Sequence, residues 1–404
     1  MKRIFKYIFA FIIFFIFINN VCAINFPEVS SSSILFENID KNEVIYSKNE
    51  KDKVQIASLT KIMTAIVAIE NIKDYDEKVL ITKDMLKGID IDFSIAGFKA
   101  GEVATYNDLL YGTLLPSGAD ATNILAYSIS GSIDNFVELM NNKAKELEMS
   151  DSSFSNVMGK TEENNYSTAT DLSKLLKYCY KNKKFKEVFS SEKYTSSNSL
   201  HEMKGPVKKL HSDDLKMNYI IGAKTGYTEK AGLCLASISK YNNDTYILIT
   251  LGSSKTTYIQ HMIDSQTIYN YFFDNYEYKK ILSKDEIMVN LKTVYEEEYT
   301  IKSDEEVIRY VHKDTNKKDL TYKYSEDKKL EKGIKKGDKI GTFYILEGKD
   351  VLYAKVIISP KTVKMTFNYF INHNKVFLIC VFIVIILLIL CLNKKIKIAK
   401  NKHR

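Results

Sequence analysis

Two periodicities alternate along this chain and divide it before any chemistry is considered. Residues 32–46 alternate like a hairpin, with Ile34-Leu35-Phe36, a turn at 38–42, then Val44-Ile45-Tyr46. Residues 59–72 are mostly apolar and predict a helix that opens at Ser58. Residues 136–149 place Phe136, Leu139, Met140 and Leu147 at helical spacing, and 171–180 are also helix-like. Strand-like runs follow at 219–224, 233–240 and 245–252, with turns at 226–232 and 241–244. Helices early and strands late around one core predict an α+β fold, an antiparallel sheet flanked by helices.

From about Tyr278 the pattern changes. Charge rises, and short β-like runs recur at 286–291, 294–301, 306–312, 341–346 and 351–358, with turn residues between them. This predicts a small all-β domain over 276–360, after a first domain over 24–275. Residues 361–375 read as a linker.

Two longer apolar runs lie at the ends. Lys2, Arg3 and Lys6 precede an unbroken apolar run at 8–18, and Val21-Cys22-Ala23 is a small-residue cleavage site. Residues 1–23 read as a secretory signal, with a lipidated Cys22 as the weaker alternative because Val21 fits that signal poorly. At the other end, residues 376–392 carry no charge and no proline. At about 1.5 Å per residue, that helix is just long enough to span a bilayer. Six basic residues and no acid follow in the tail, 394–404. The positive-inside rule then predicts a single-pass cell-membrane protein, with the helix at 376–393, the body outside and the tail cytoplasmic.

Composition sharpens this picture. The formal net charge of +8 resolves into +3 in the signal and +6 in the tail, which leaves residues 24–393 near −1. The basic balance is therefore topology, and no nucleic-acid partner is expected. Of the five cysteines, only Cys179 and Cys234 lie in the outer body, so at most one disulfide is available and both read as plain buried residues. The six histidines are scattered, and His201-Glu202 lacks a second histidine at helical spacing. No metal or cofactor is expected.

The candidate chemistry sits in three segments: Ser58-Leu59-Thr60-Lys61, Ser117-Gly118-Ala119-Asp120 and Lys224-Thr225-Gly226. Ser58 and Lys61 share one helical face, which places an amine beside a hydroxyl. That hydroxyl is a weak nucleophile until a base takes its proton, and lysine serves only if burial or a second cation, such as Lys224, lowers its pKa. Ser58 at a helix start also sits where unpaired backbone N–H groups would hold an oxyanion; as a structural residue alone it would be an N-cap. Strand alternation puts Lys224 and Gly226 on one face, leaving room for a substrate backbone at Gly226. Lys224 and Thr225 suit a carboxylate, and Tyr227 offers a backbone N–H as a second oxyanion donor. Ser117 is placed to relay a proton to a departing nitrogen, and Asp120 reads as the N-cap of the next helix.

An S-x-x-K followed far downstream by K-T-G is the motif set of penicillin-binding proteins and β-lactamases. Over about 32–253, the chain resembles the D-alanyl-D-alanine carboxypeptidases, the low-molecular-weight penicillin-binding proteins. The resemblance is carried by Ile56-Ala57-Ser58-Leu59-Thr60-Lys61-Ile62-Met63-Thr64, Phe136 to Asn141, Lys143 to Leu147, Tyr166 to Ala169 and Ala223-Lys224-Thr225-Gly226-Tyr227-Thr228. It implies a β-lactamase/transpeptidase-like domain, a small β-domain and a membrane anchor. It also implies Ser58 as the acylated nucleophile, Lys61 as its base, and Ser117 and Lys224 in proton transfer and carboxylate binding. The implied substrate is a peptidoglycan stem peptide ending in D-Ala-D-Ala, in a role in cell-wall synthesis and cell shape, with β-lactam antibiotics acylating the same serine.

Three departures from the family pattern stand out. Ala119 occupies the usual position of an asparagine, Asn156-Val157-Met158-Gly159 replaces an Asn-Pro-x-Gly loop, and Lys255 is the nearest cation to a usual arginine. Ala119 keeps open the alternative of a membrane-tethered, peptidoglycan-binding pseudoenzyme. A class A β-lactamase would need a deacylating glutamate with asparagine four residues later; Glu138 and Asn142 have that spacing but fall inside a predicted helix.

Overall fold

The alternation at 32–46 becomes the hairpin β1 (Ser33–Asn38) and β2 (Glu43–Lys48), with Ile34 opposite Lys48. The computed structural model describes residues 26–402 other than Lys332, with side chains as far as residue 394. The secretory-signal expectation for 1–23 lies outside the described residues. These residues divide into two compact units, Phe26–Asp274 and the segment from Asn275 onward.

In the first unit, two short ribbons pair β3 (Lys78–Leu80) with β4 (Val103–Thr105) and β5 (Lys193–Thr195) with β6 (Glu202–Lys204). The three late runs are β7 (Ile220–Thr228), β8 (Gly232–Tyr241) and β9 (Asp244–Ser253). They join the hairpin in a five-stranded antiparallel sheet of order β2-β1-β9-β8-β7. β7 is therefore an edge strand. It runs on to Thr228, so Gly226 lies within the strand and not in the expected turn.

The mostly apolar run folds as α1 (Thr60–Asn71), in which residues 60–69 are all buried. A helix apolar on every side must be surrounded, and here it is. The other helices are α2 (Tyr106–Leu114), α3 (Ala119–Ser130), α4 (Ile133–Glu146), α5 (Ala169–Lys181), α6 (Lys183–Phe189), α7 (Pro206–Leu210) and α8 (Gln260–Asn275). Their starts follow local chemistry: Thr105 and Asp108 form a reciprocal cap on α2, and Ser132 and Thr168 cap α4 and α5.

Strand alternation sends the two faces of the sheet to different partners. Leu35, Cys234, Ala236, Ile247, Ile249 and Leu251 join the helical core that contains α1. Phe36 and Tyr246 face the other way and pack with Tyr269, Phe272 and Phe273 of α8, with ring centroids 5.1–5.5 Å apart for Phe36 against Tyr246, Tyr269 and Phe272. The unit is thus layered as helices, sheet, helix. Cys179 and Cys234 are both free and buried.

The second unit holds β10 (Tyr276–Leu282), β11 (Ile287–Lys292), β12 (Glu298–Lys302), β13 (Val307–His312), β14 (Thr321–Glu326), β15 (Lys339–Glu347) and β16 (Asp350–Ile358). β10 pairs with β13, β11 with β12, and β14-β15-β16 form a sheet. Its core gathers Leu282, Val307, Ile340, Phe343, Ile345 and Ile357. β10 and β14 escape the sequence pattern. β14 exposes residues on both faces, so apolar alternation never develops. The segment expected to be a plain linker contains α9 (Phe367–His373), capped by Thr366. Next comes α10 (Lys375–Lys402), whose stretch Lys375–Lys394 is long and apolar enough to cross a membrane.

Candidate active site

Ser58 does not open α1. It sits in a 3₁₀ turn, Ala57–Leu59, immediately before the helix, and no backbone N–H is capped by its hydroxyl. Ala57 holds φ at +46°, a left-handed conformation that a non-glycine residue adopts only under constraint. The turn is wedged between two close backbone approaches. A Cβ on Gly226 would lie 3.0 Å from Ser58 N and 3.2 Å from Ile56 O, and one on Gly159 would lie 2.0 Å from Ala57 O. Gly226 therefore gives the serine turn room to pack against β7, and it also lines the cleft.

Lys61 Nζ donates to Ser58 Oγ at 3.0 Å and to Met158 O at 2.6 Å. Lys61 is fully buried on α1. Burial lowers its pKa to about 7, and the Asp120 carboxylate opposes that only in part. Of the two routes considered from sequence, burial is the effective one. The amine is largely neutral in mildly alkaline solution and can accept a proton from the hydroxyl it touches.

Lys224 pairs across the sheet with Ala236, a helical-core residue, so it projects from that same face. Its Nζ donates to Ser117 Oγ at 2.8 Å and to Thr225 O at 2.9 Å. Burial, and then repulsion from Lys61, pull its pKa well below the usual lysine range. Ser117 holds φ at +62°, a second strained residue at the site.

Ser58, Ser117, Thr225, Gly226 and Tyr227 line one cleft of about 270 Å³, whereas Lys61 and Lys224 stand behind its wall. The structure thus brings all seven residues singled out from sequence together. Ala119 is fully buried and outside the cleft lining; its N–H donates to Ser94 O at 2.8 Å. Asn123 donates to Lys87 O and also stays out of the cleft. Glu138 and Asn142 are exposed on α4, so no deacylating glutamate reaches the serine from there.

Three further segments contribute, of which sequence reasoning noted only the loop 156–159, as a departure from the family pattern. The first is the loop 90–98, which brings Asp92, Phe93 and Ser94 to the cleft. Asp120 holds that loop. It is not the N-cap of α3, a position taken by Gly118; its carboxylate accepts N–H groups of Ala96 (2.7 Å), Gly97 (2.7 Å) and Phe98 (2.9 Å). Asp120→Ala leaves three donors without an acceptor. It is expected to cost about 3 kcal/mol and to open 90–98 to proteolysis; an unchanged melting temperature and cleavage pattern would remove this role from Asp120.

The second is the loop 156–159. Asn156 Oδ1 accepts Gly159 N and Lys160 N, while Thr64 Oγ1 donates to Val157 O. The asparagine side chain sets this turn without a proline. The third is His261, at the start of α8, which lines the cleft. Lys255, the cation weighed from sequence, instead donates to Tyr227 Oη at 3.0 Å and is absent from the cleft lining.

Comparison with known proteins agrees with this geometry. Residues 20–255 match the family described as D-alanyl-D-alanine carboxypeptidase, and residues 276–364 match the penicillin-binding protein 5 C-terminal domain. The chain is 27% identical over 350 residues to the D-alanyl-D-alanine carboxypeptidase DacF of Bacillus subtilis, covering 83% of this chain and 86% of that protein. It is 26% identical to DacA of Haemophilus influenzae over 341 residues, 82% of this chain and 84% of that one. The D-alanyl-D-alanine carboxypeptidase DacD from Francisella tularensis shares the fold with a TM-score of 0.69 at 21% identity, over 86% of this chain and 97% of that one. With a cleft serine beside a buried lysine of lowered pKa, and a family match across more than half its length, the chain belongs to the D-alanyl-D-alanine carboxypeptidases, serine-type hydrolases of the penicillin-binding protein fold.

Proposed function

We propose that Ser58 is the nucleophile that takes the penultimate D-alanine of a peptidoglycan stem peptide as an acyl group. The observation that carries this reading is Lys61 Nζ, 3.0 Å from Ser58 Oγ with its pKa lowered to about 7. Ser58 Oγ attacks the carbonyl carbon while its proton passes to Lys61. Backbone N–H groups of Ser58 and Tyr227 hold the oxyanion. Ser117, bonded to Lys224, hands its hydroxyl proton to the leaving D-alanine nitrogen and regains the proton that Lys61 took, which leaves Lys61 neutral for the second step. Water, with Lys61 again as base, then releases the shortened peptide. Thr225 meets the terminal carboxylate from the cleft wall. The contacts kept by the acylating pair and its proton partners support an enzyme over the binding scaffold that Ala119 leaves open. A β-lactam uses the same first step.

The test is acylation by a penicillin followed by intact-mass and peptide mapping. One adduct is expected, on the peptide that contains Ser58. Its formation rate should fall about tenfold per pH unit below pH 7, as Lys61 becomes protonated, and level off above. An adduct elsewhere, or a rate that rises as pH falls, would overturn the assignment. The candidate span Lys375–Lys394 supports anchoring. The uncompensated basic tail supports an external catalytic unit with a cytoplasmic C-terminus.

A further inference from the structure

Two loops form lips of the cleft, and they are not equally secured. One is the turn 156–160, whose Gly159 lines the cleft. Its end is fixed from both sides. Asn156 Oδ1 accepts Lys160 N at 2.9 Å, while Lys160 O accepts Asn156 Nδ2 at 3.1 Å and Asn165 Nδ2 at 3.3 Å. Lys160 therefore stands on tightly held backbone.

The other lip is the tip 88–93, which carries Asp92 and Phe93 into the cleft lining. Asp120 clamps the loop only at 96–98, beyond this tip. Asn123 Nδ2 on Lys87 O (3.0 Å) and Ala119 N on Ser94 O (2.8 Å) tie down its two ends. Between them lies a turn in which Phe93 N donates to Asp90 O at 3.1 Å. Ile91 is 99% exposed, and Ile89 and Phe93 take no place in the helical core. Apolar burial does little to hold this segment.

An ion pair spans the two lips. Lys160 Nζ lies 2.9 Å from Asp90 Oδ2, and neither residue lines the cleft itself. Glu162, the carboxylate next along the chain from Lys160, accepts Ser155 Oγ at 2.5 Å. The paired side chains are 43% and 54% exposed, so the pair is weak and salt screens it. A pair of that strength does not decide whether the protein folds. It sets how often a lightly tethered tip is in place when a substrate arrives.

We propose that Lys160 and Asp90 are positioning residues that latch the 88–93 tip to the fixed turn 156–160, so that the substrate meets a cleft already walled by Asp92 and Phe93. The inference rests on the carboxypeptidase reading above for its kinetic readout and deepens it. With the latch open, substrate must order the tip as it binds, and that cost falls on affinity. KM carries the effect, and kcat does not.

Two measurements on the detergent-solubilised full chain test this. In the first, Lys160→Gln and Asp90→Asn should each raise KM for a D-Ala-D-Ala peptide by about two- to fivefold, with kcat and melting temperature close to wild type. The charge-swapped double variant, Lys160→Asp with Asp90→Lys, should recover most of that loss. Salt raised from about 20 mM to about 500 mM should weaken the wild type more than Lys160→Gln, which has no pair to screen. Unchanged KM in both single variants, a salt response that Lys160→Gln shares in full, or a swap as poor as the single changes overturns the inference. The second needs no turnover: limited digestion with chymotrypsin, whose site at Phe93 none of the variants alters. Cleavage there should be faster in both single variants and slow again in the swap. Equal cleavage in all four proteins removes the latch alone; absence of D-alanine release from wild type removes the carboxypeptidase roles and leaves the digestion to decide the latch.

Discussion

Ser58→Ala and Lys61→Met are each expected to lower D-alanine release from a D-Ala-D-Ala peptide by at least about 10³-fold, the scale on which members of a nucleophile–base unit fail when removed singly. The two variants differ in what survives. Ser58→Ala has no oxygen to acylate and forms no penicillin adduct. Lys61→Met keeps the hydroxyl and the apolar shape of the site but loses the acceptor for its proton, so a slow adduct remains. Combining the two should cost little beyond the worse single change, because they serve one step. Lys61 is fully buried, and among the described residues its amine hydrogen-bonds to Ser58 Oγ and Met158 O. Methionine removes a buried amine without opening a cavity but leaves Met158 O without its donor, so the two effects offset and folding stability should change little. A Lys61→Met enzyme within tenfold of wild type, at normal melting temperature, would show that another group takes the proton.

Gly159→Ala should be nearly as damaging, although Gly159 supplies no side chain. A Cβ there would sit 2.0 Å from Ala57 O, 2.4 Å from Ala57 C and 2.9 Å from Ser58 N, against backbone that no rotamer change can move. Gly159 also holds φ at +88°. Strain and overpacking together suggest a loss of about 3–5 kcal/mol. The relief available is displacement of the turn that carries Ser58, so penicillin acylation should collapse even in the folded fraction. Gly88→Ala separates the two causes. Gly88 has φ of +75° but nothing within 4 Å of the added carbon. That change should cost about 1 kcal/mol and leave acylation intact. Equal losses at the two glycines would mean that backbone conformation, and not contact with the serine turn, explains the effect.

Part of the fold and site was readable along the chain because it depends on neighbours. The hairpin at β1–β2 follows from alternation, the long strands β7 to β9 from strand-like runs bounded by turns, and α1 from a mostly apolar stretch. What failed were features set by contacts across the chain. Ser58 looked like a helix opening, yet the helix starts at Thr60, since the preceding turn is clamped by Gly159 and Gly226 from distant segments. Asp120 looked like an N-cap but reaches the loop 96–98 instead. β14, polar on both faces, gave no periodic signal at all.

The sequence by itself determined the pairing of hydroxyl and amine, because a spacing of three residues fixes their approach through one turn of backbone. It also determined the apolar span and the basic tail, which are properties of composition. Only the tertiary structure decided how those groups behave. The pKa of Lys61 falls because helices and sheet exclude water from it, and its second contact, Met158 O, lies 97 residues away. The Lys224 amine turns to Ser117, 107 residues off. His261, one of six scattered histidines in the chain, becomes a buried base with no hydrogen-bond partner among the described residues only when the start of α8 reaches the cleft that Ser58 and Thr225 also line. Desolvation and hydrogen-bond supply are set by whatever segments arrive in space, and linear order does not carry that information.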